Sequence, residues 1–161
     1  MRRWREAASL GAMLFGVFLA VDLKSEPIEL LTGPRGDYLL NCGGCHGFHG
    51  VSNPRLVPNL KDLVGYYLRT AEGRAYLPRL PNVAFSPLND EKLAAVLNYT
   101  VFELGGSSAV GAKPYGAEEV GRWRKQPLTE VVLSNYRLQL VETLINQHQA
   151  PAGLRVYGEH P

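Results

Sequence analysis

"NCGGCHGFHG", residues 41–50, holds both cysteines of the chain and two of its four histidines. No other stretch concentrates sulfur and imidazole, so this one decides what the surrounding fold has to hold. Three chemistries suit such a cluster: a thiol–disulfide switch, a metal knuckle, or a covalent attachment point for haem. A Cys-Gly-Gly-Cys switch belongs at the end of a strand in a strand–helix–strand unit. Nowhere does the chain alternate apolar and polar residues long enough to build a sheet. Zinc has four donors available in Cys42, Cys45, His46 and His49. Structural zinc sites, however, draw ligand pairs from separate stretches, whereas these four fall within eight residues. Neighbours at 45 and 46 also share one tetrahedral ion poorly. Haem meets neither objection. Cys42-Gly-Gly-Cys45-His46 is the C-x-x-C-H pattern of c-type attachment. Two thiols three positions apart reach the vinyl groups on one porphyrin edge, and the adjoining imidazole swings beneath to the iron. Gly43 and Gly44 keep the turn free of side chains that would meet the ring.

Outward from the motif the chain reads as helices joined by loops. "EPIELLTGPRG" carries Pro27, Gly33, Pro34 and Gly36, which discourage a continuous helix, and "GDYLLNC" then gives one or two turns into the motif. "LKDLVGYYLRT" places Leu60, Leu63, Val64 and Tyr67 on one face and predicts a helix. "AEGRAYLPRLPNVAFSPL", with three prolines, predicts a short helical turn and then an extended loop. The strongest helix is residues 89–104. Asn89 or Asp90 caps it, Asp90 and Glu91 sit where the helix dipole favours negative charge, and Gly105-Gly106 ends it. Its buried stripe is Leu93, Val96, Leu97, Thr100, Val101 and Leu104. Two more helices are expected near 117–125 and 129–148, the second burying Val132, Tyr136, Leu140 and Leu144, with Leu133 and Val141 beside them. The fold class is therefore all-α.

Composition agrees with an ordinary globular domain, at 45% hydrophobic and 20% charged residues. A net charge of +2 excludes the dense basic face that nucleic acid requires. Part of that excess lies in Arg2, Arg3 and Arg5, ahead of an uncharged run from Ala7 to Val21. A basic start before such a run reads as an export segment over residues 1–24, a signal peptide or a signal anchor. Residues 7–23 would then associate with the membrane, and the remainder would lie in the periplasm. Thioether attachment of haem is made outside the cytoplasm, which agrees. Residues 25–106 form the expected haem domain and 107–161 a C-terminal helical extension.

At this point the sequence resembles the small mono-haem cytochromes c of the class I type, from about Gly36 to Leu104. Tyr38 stands four residues before Cys42, where that family commonly has an aromatic. Pro58, in "VPNL", lies twelve residues beyond His46. The resemblance implies that its carbonyl accepts a hydrogen bond from the proximal histidine. "SPLNDEKLAAVLNYTV" is similar to the family's last helix, with Tyr99 where an aromatic packs on the first. The resemblance implies one covalent haem c held by Cys42, Cys45 and His46, and a protein that carries single electrons rather than an enzyme. The expected partner is a redox protein, a dehydrogenase or oxidase, linked to the respiratory chain.

The chain departs from the family at the second axial ligand. That ligand is usually a methionine just before the last helix, but this chain has only Met1 and Met13. The sixth position is therefore open, or filled by His49, His148, His160 or a weak donor such as Asn82. Without a thioether the potential should be lower, and an open site would admit small ligands such as carbon monoxide. Two further roles follow as alternatives: a haem-based gas binder, or an accessory subunit of a membrane complex that uses the extension. Arg69, Arg74 and Arg79 are candidates for the haem carboxylates. Trp123, flanked by Arg122, Arg124 and Lys125, marks either a docking patch or a helix packed on the core.

Overall fold

The computed structural model describes residues 31–54 and 56–157. The expected leader, residues 1–24, and the candidate ligand His160 lie outside the described residues. Among the described residues there are helices and loops and no strand, so the chain is all-α as expected.

Helix α1, Gly33–Asn41, starts earlier than the prolines and glycines suggested. Pro34 falls in the first turn, where a missing N–H costs nothing and its fixed φ favours the helix. Proline here initiates rather than breaks. A one-turn helix α2, Gly43–His46, follows directly.

The region between the motif and the last haem-domain helix departs most from expectation. The helix predicted in "LKDLVGYYLRT" is a tighter 3-10 helix, Val64–Arg69. It runs against residues 106–109, and a Cβ on Gly65 would collide with the Ala109 backbone. The Gly65 amide donates to Ser108 Oγ at 2.9 Å, which fixes this crossing. The predicted short helical turn extends into helix α3, Ala71–Arg79, and the expected loop after it begins with a short α4, Pro81–Ala84. Thr70 caps α3, its hydroxyl accepting from the Gly73 amide at 3.1 Å. Pro78 lies in the last turn of α3 and Pro81 in the first turn of α4. Pro81 forfeits nothing in a first turn, and the Arg74 carbonyl, which Pro78 leaves without its helical N–H, accepts from the Tyr115 hydroxyl at 2.7 Å instead.

Helix α5, Asp90–Asn98, is capped by Asn89, whose side chain accepts from the Lys92 amide at 2.9 Å. The helix continues as a widened π turn, Tyr99–Leu104. Thr100 Oγ1 donates back to the Val96 carbonyl at 2.8 Å, and the Gly105 amide bonds five residues back to Thr100. All six residues of the expected stripe are buried. The extension supplies α6, Ala117–Arg124, and α7, Leu133–Asn146. Helix α7 begins later than predicted, and ahead of it the Leu128 amide donates to the Arg79 carbonyl at 2.9 Å. Val132 is consequently exposed, and Arg137 occupies the buried face.

Packing joins these parts into one core. Val64, Tyr76, Leu93 and Val101 cluster with Val120, Leu140, Leu144 and Leu154 of the extension. Each such side chain contributes about 1.5–3 kcal/mol on burial. Tyr115 seals the junction: its amide and carbonyl pair with the Asn98 side chain at 2.7 and 3.0 Å, and its hydroxyl donates to the Arg74 carbonyl at 2.7 Å.

Candidate haem site

Helix α2 draws the motif into one turn. The amides of Cys45 and His46 both bond to the Cys42 carbonyl, at 3.2 and 3.0 Å. Gly47 ends the turn at φ 72°, a conformation glycine adopts freely, and a Cβ there would strike the Val51 carbonyl. The protein itself leaves ordinary room for a side chain at Gly43 and open space at Gly44. Both thiols are free, Cys42 half-buried and Cys45 exposed. Burial and the neighbouring Cys45 push the Cys42 thiol up to about 11. A protonated thiol is a poor start for disulfide exchange.

His46 is half-buried, with Nδ1 3.1 Å from the Pro58 carbonyl oxygen. As donor to that carbonyl, Nδ1 carries the ring proton and Nε2 is left with its lone pair. Burial lowers the pKa of His46, and the Pro58 carbonyl opposes the shift only in part. A neutral imidazole, oriented through one nitrogen, is what a metal ligand has to be. Tyr38, fully buried in α1, donates to the Gly47 carbonyl at 2.8 Å. Its ring packs on Tyr99 with centroids 5.5 Å apart and planes tilted by 50°. The first helix, the motif and the last haem-domain helix are thereby tied at one point.

Cys42, His46 and Pro58 line a cavity of about 290 Å³ whose wall is otherwise largely apolar. Tyr67, Asn82, Ser86 and Leu88 contribute from the middle of the chain. Leu133, Ser134, Arg137, Leu154 and Tyr157 close it from the extension. Arg137 is 4% exposed; its Nη2 donates to the Leu154 carbonyl at 2.7 Å, and its guanidinium lies 5.1 Å from the centre of the Tyr157 ring. Burial raises the pKa of the neighbouring Tyr67 hydroxyl, and the Arg137 charge opposes that rise. Neither Tyr67 Oη nor Arg137 Nε completes a well-formed hydrogen bond, and Ser86 Oγ is also without one. Buried polar atoms left in this state at a cavity wall call for a polar partner, a water or a ligand group.

The arginines singled out in the sequence are engaged elsewhere. Arg74 forks onto Glu119 at 2.6 and 2.7 Å, Arg69 lies over Tyr66, and Arg79 donates to the Gln126 carbonyl at 2.8 Å. None of the three lines the cavity. Arg137, which does line the cavity, was not singled out; its signal is an arginine four positions after Leu133 and four before Val141, inside an apolar stripe. His49 and His148 are exposed and do not line the cavity, whereas Asn82 does. Among the described residues no cluster of three or more His, Cys, Asp or Glu is placed to hold a metal ion, which leaves the zinc knuckle without support. Trp123 is half-buried, and Arg124 turns inward instead of joining a surface patch.

No known family profile matches the chain, and no solved structure matches it. Two curated proteins do, both of them cytochrome c-552 of Thermus thermophilus. Each is 34% identical over 107 residues, covering 55% of this chain and 82% and 72% of the relatives. The chain belongs to the c-type cytochromes. This cytochrome nevertheless has methionine only at positions 1 and 13, so no thioether lines the described cavity.

Proposed function

We propose that this cytochrome carries one haem c, joined through Cys42 and Cys45 and ligated by His46, and transfers single electrons. Its partner is a redox enzyme, a dehydrogenase or oxidase, feeding or drawing on the respiratory chain. The observation that carries this reading is the His46 Nδ1 to Pro58 carbonyl contact beside two free thiols, Cys42 lining an apolar cavity and Cys45 exposed next to it in the motif. When bound, the haem supplies the one-electron couple of its iron. The chain's own residues do the rest. Pro58 fixes the plane and tautomer of the imidazole. Arg137 and Tyr67 offer donors to the porphyrin's two carboxylates, which satisfies the polar atoms the protein leaves unpaired. The apolar wall limits water, and so limits the reorganisation that accompanies each change of charge.

The basic leader supports a periplasmic location, free or held at the membrane by residues 7–23. Among the described residues no helix is long and apolar enough to cross a membrane. The test is the intact mass and reduced-minus-oxidised spectrum of the chain expressed with cytochrome c maturation machinery. The expected mass is that of the polypeptide plus one haem. A colourless chain at bare polypeptide mass defeats the reading.

A second reading is favoured by one observation: His46 is the sole imidazole among the described lining residues, and none of them carries a thioether. An iron held on one side only would bind small ligands. Carbon monoxide added to the reduced protein then shifts the Soret band, whereas an unchanged spectrum at saturating gas points to a strong internal ligand.

A further inference from the structure

Residues 84–90 join α4 to α5, and Ser86 and Leu88 within them line the cavity. In this segment, Ala-Phe-Ser-Pro-Leu-Asn-Asp, the Phe85 and Ser86 amides bond back to Pro81 and Val83 at 2.9 and 3.2 Å and Asn89 caps α5, while its carbonyls are held from the extension. From the end of α6, Arg124 donates Nε to the Ala84 carbonyl at 2.9 Å and Nη2 to the Ser86 carbonyl at 2.7 Å. Its Nη1 reaches the Leu88 carbonyl at 2.7 Å and the Asp90 carboxylate at 3.1 Å. One planar fork thus grips every second residue of the segment, a pattern that a single ammonium cannot reproduce. The Arg124 side chain is 15% exposed, so these bonds are largely shielded from water. Gly121, one turn earlier, makes the approach possible, since a Cβ there would collide with the Asp90 carboxylate.

We propose that Arg124 is a positioning residue: by fixing residues 84–90 as a rigid wall, it sets how readily small molecules from solvent reach a haem bound in the cavity. The inference rests on the haem reading of that cavity and on an open sixth position, so a wild-type protein whose reduced spectrum ignores saturating carbon monoxide overturns it. The segment carries no thioether or imidazole to ligate the iron, and Ser86 is its one polar side chain at the cavity.

The test uses the full haem-loaded chain and three variants, Arg124→Met, Arg124→Lys and Glu119→Gln. The last cuts the Arg74–Glu119 pair, which also ties the extension to the core, without touching residues 84–90. Three quantities are measured: intact mass, hydrogen–deuterium exchange of the amides in 85–90, and the rate of carbon monoxide binding to the reduced protein. Arg124→Met should raise both the local exchange and the binding rate at least about tenfold, because several charge-assisted bonds are lost together. Arg124→Lys should fall between, and Glu119→Gln should leave both near wild type. Equal acceleration by Glu119→Gln overturns the proposal, as does an Arg124→Met protein with unchanged exchange and rate. Should Arg124→Met fail to fold, the Arg124→Lys exchange pattern decides: faster exchange confined to 85–90 supports the clamp, and no change defeats it. A wild-type chain at bare polypeptide mass overturns the haem reading and the gate with it. The exchange measurement still reports whether the clamp holds, so the two failures are told apart.

Discussion

The motif and the extension differ in how far along the chain their decisive contacts reach. Around the motif, the His46 amide meets a carbonyl four residues back, and its ring meets one 12 residues ahead. In the extension, Arg124 reaches back 36 residues to Leu88, Glu119 meets Arg74 across 45, and Tyr136 meets Glu72 across 64. Short contacts concentrate chemistry in a readable string. Long contacts depend on which helices meet, and that is a property of the assembled core. The two regions nevertheless converge on one cavity, so each can be perturbed while the other is monitored.

The largest effect should come from the motif side. Replacing Cys42 and Cys45 together by Ala removes both sites of attachment, and the intact mass should fall to that of the polypeptide alone. Neither thiol holds any part of the described fold by a disulfide, so helical circular dichroism should be retained by whatever fraction folds. Covalent haem surviving in the double variant would break the assignment of the motif. On the extension side the matching change is Arg137→Leu. The Leu154 carbonyl then loses its 2.7 Å donor inside the core. Urea unfolding of the haem-loaded protein should show a loss of about 1–3 kcal/mol. Unchanged stability would mean that the buried cation holds nothing, and that the extension merely covers the cavity.

What was legible follows this division. The all-α class and the stripe of Leu93, Val96, Leu97, Thr100, Val101 and Leu104 rest on local periodicity, and the His46–Pro58 pairing on a fixed spacing that the family resemblance made readable. Of helix α3 only a short turn was legible, because its three-proline neighbourhood reads as a loop until Thr70 is seen to cap it and Pro78 to occupy a last turn. Arg137 was passed over because an arginine is ordinarily solvated, and its burial requires Leu154 and Tyr157 from beyond the helix. Arg74 was misassigned for the converse reason: Glu119 claims it from a helix whose packing the sequence did not reveal.

That pair also gives the extension a pH dependence set by a carboxylate. The Arg74 guanidinium holds the Glu119 carboxyl below its usual range, with burial opposing. A folded-state pKa depressed in this way contributes stability above the unfolded value of about 4.5, lost as pH falls through the folded one. Glu119→Gln should therefore lower stability by about 1 kcal/mol at neutral pH, and the gap from wild type should close in acid. A gap that is constant from pH 7 to pH 3 would show that the carboxylate charge is irrelevant and only its packing counts.

The smallest expected effect lies back at the motif, where it separates backbone from side chain. His46 is oriented by the carbonyl of Pro58, which every residue type possesses. Pro58→Ala should thus leave the Soret band, the midpoint potential and the haem content close to wild type. Its cost should be about 0.4–1 kcal/mol in urea unfolding, reflecting the greater freedom alanine gives the unfolded chain. A marked change in potential with little change in stability would instead mean that the pyrrolidine ring sets the carbonyl's direction. The pairing would then be as dependent on the assembled shape of its surroundings as the contacts of the extension are.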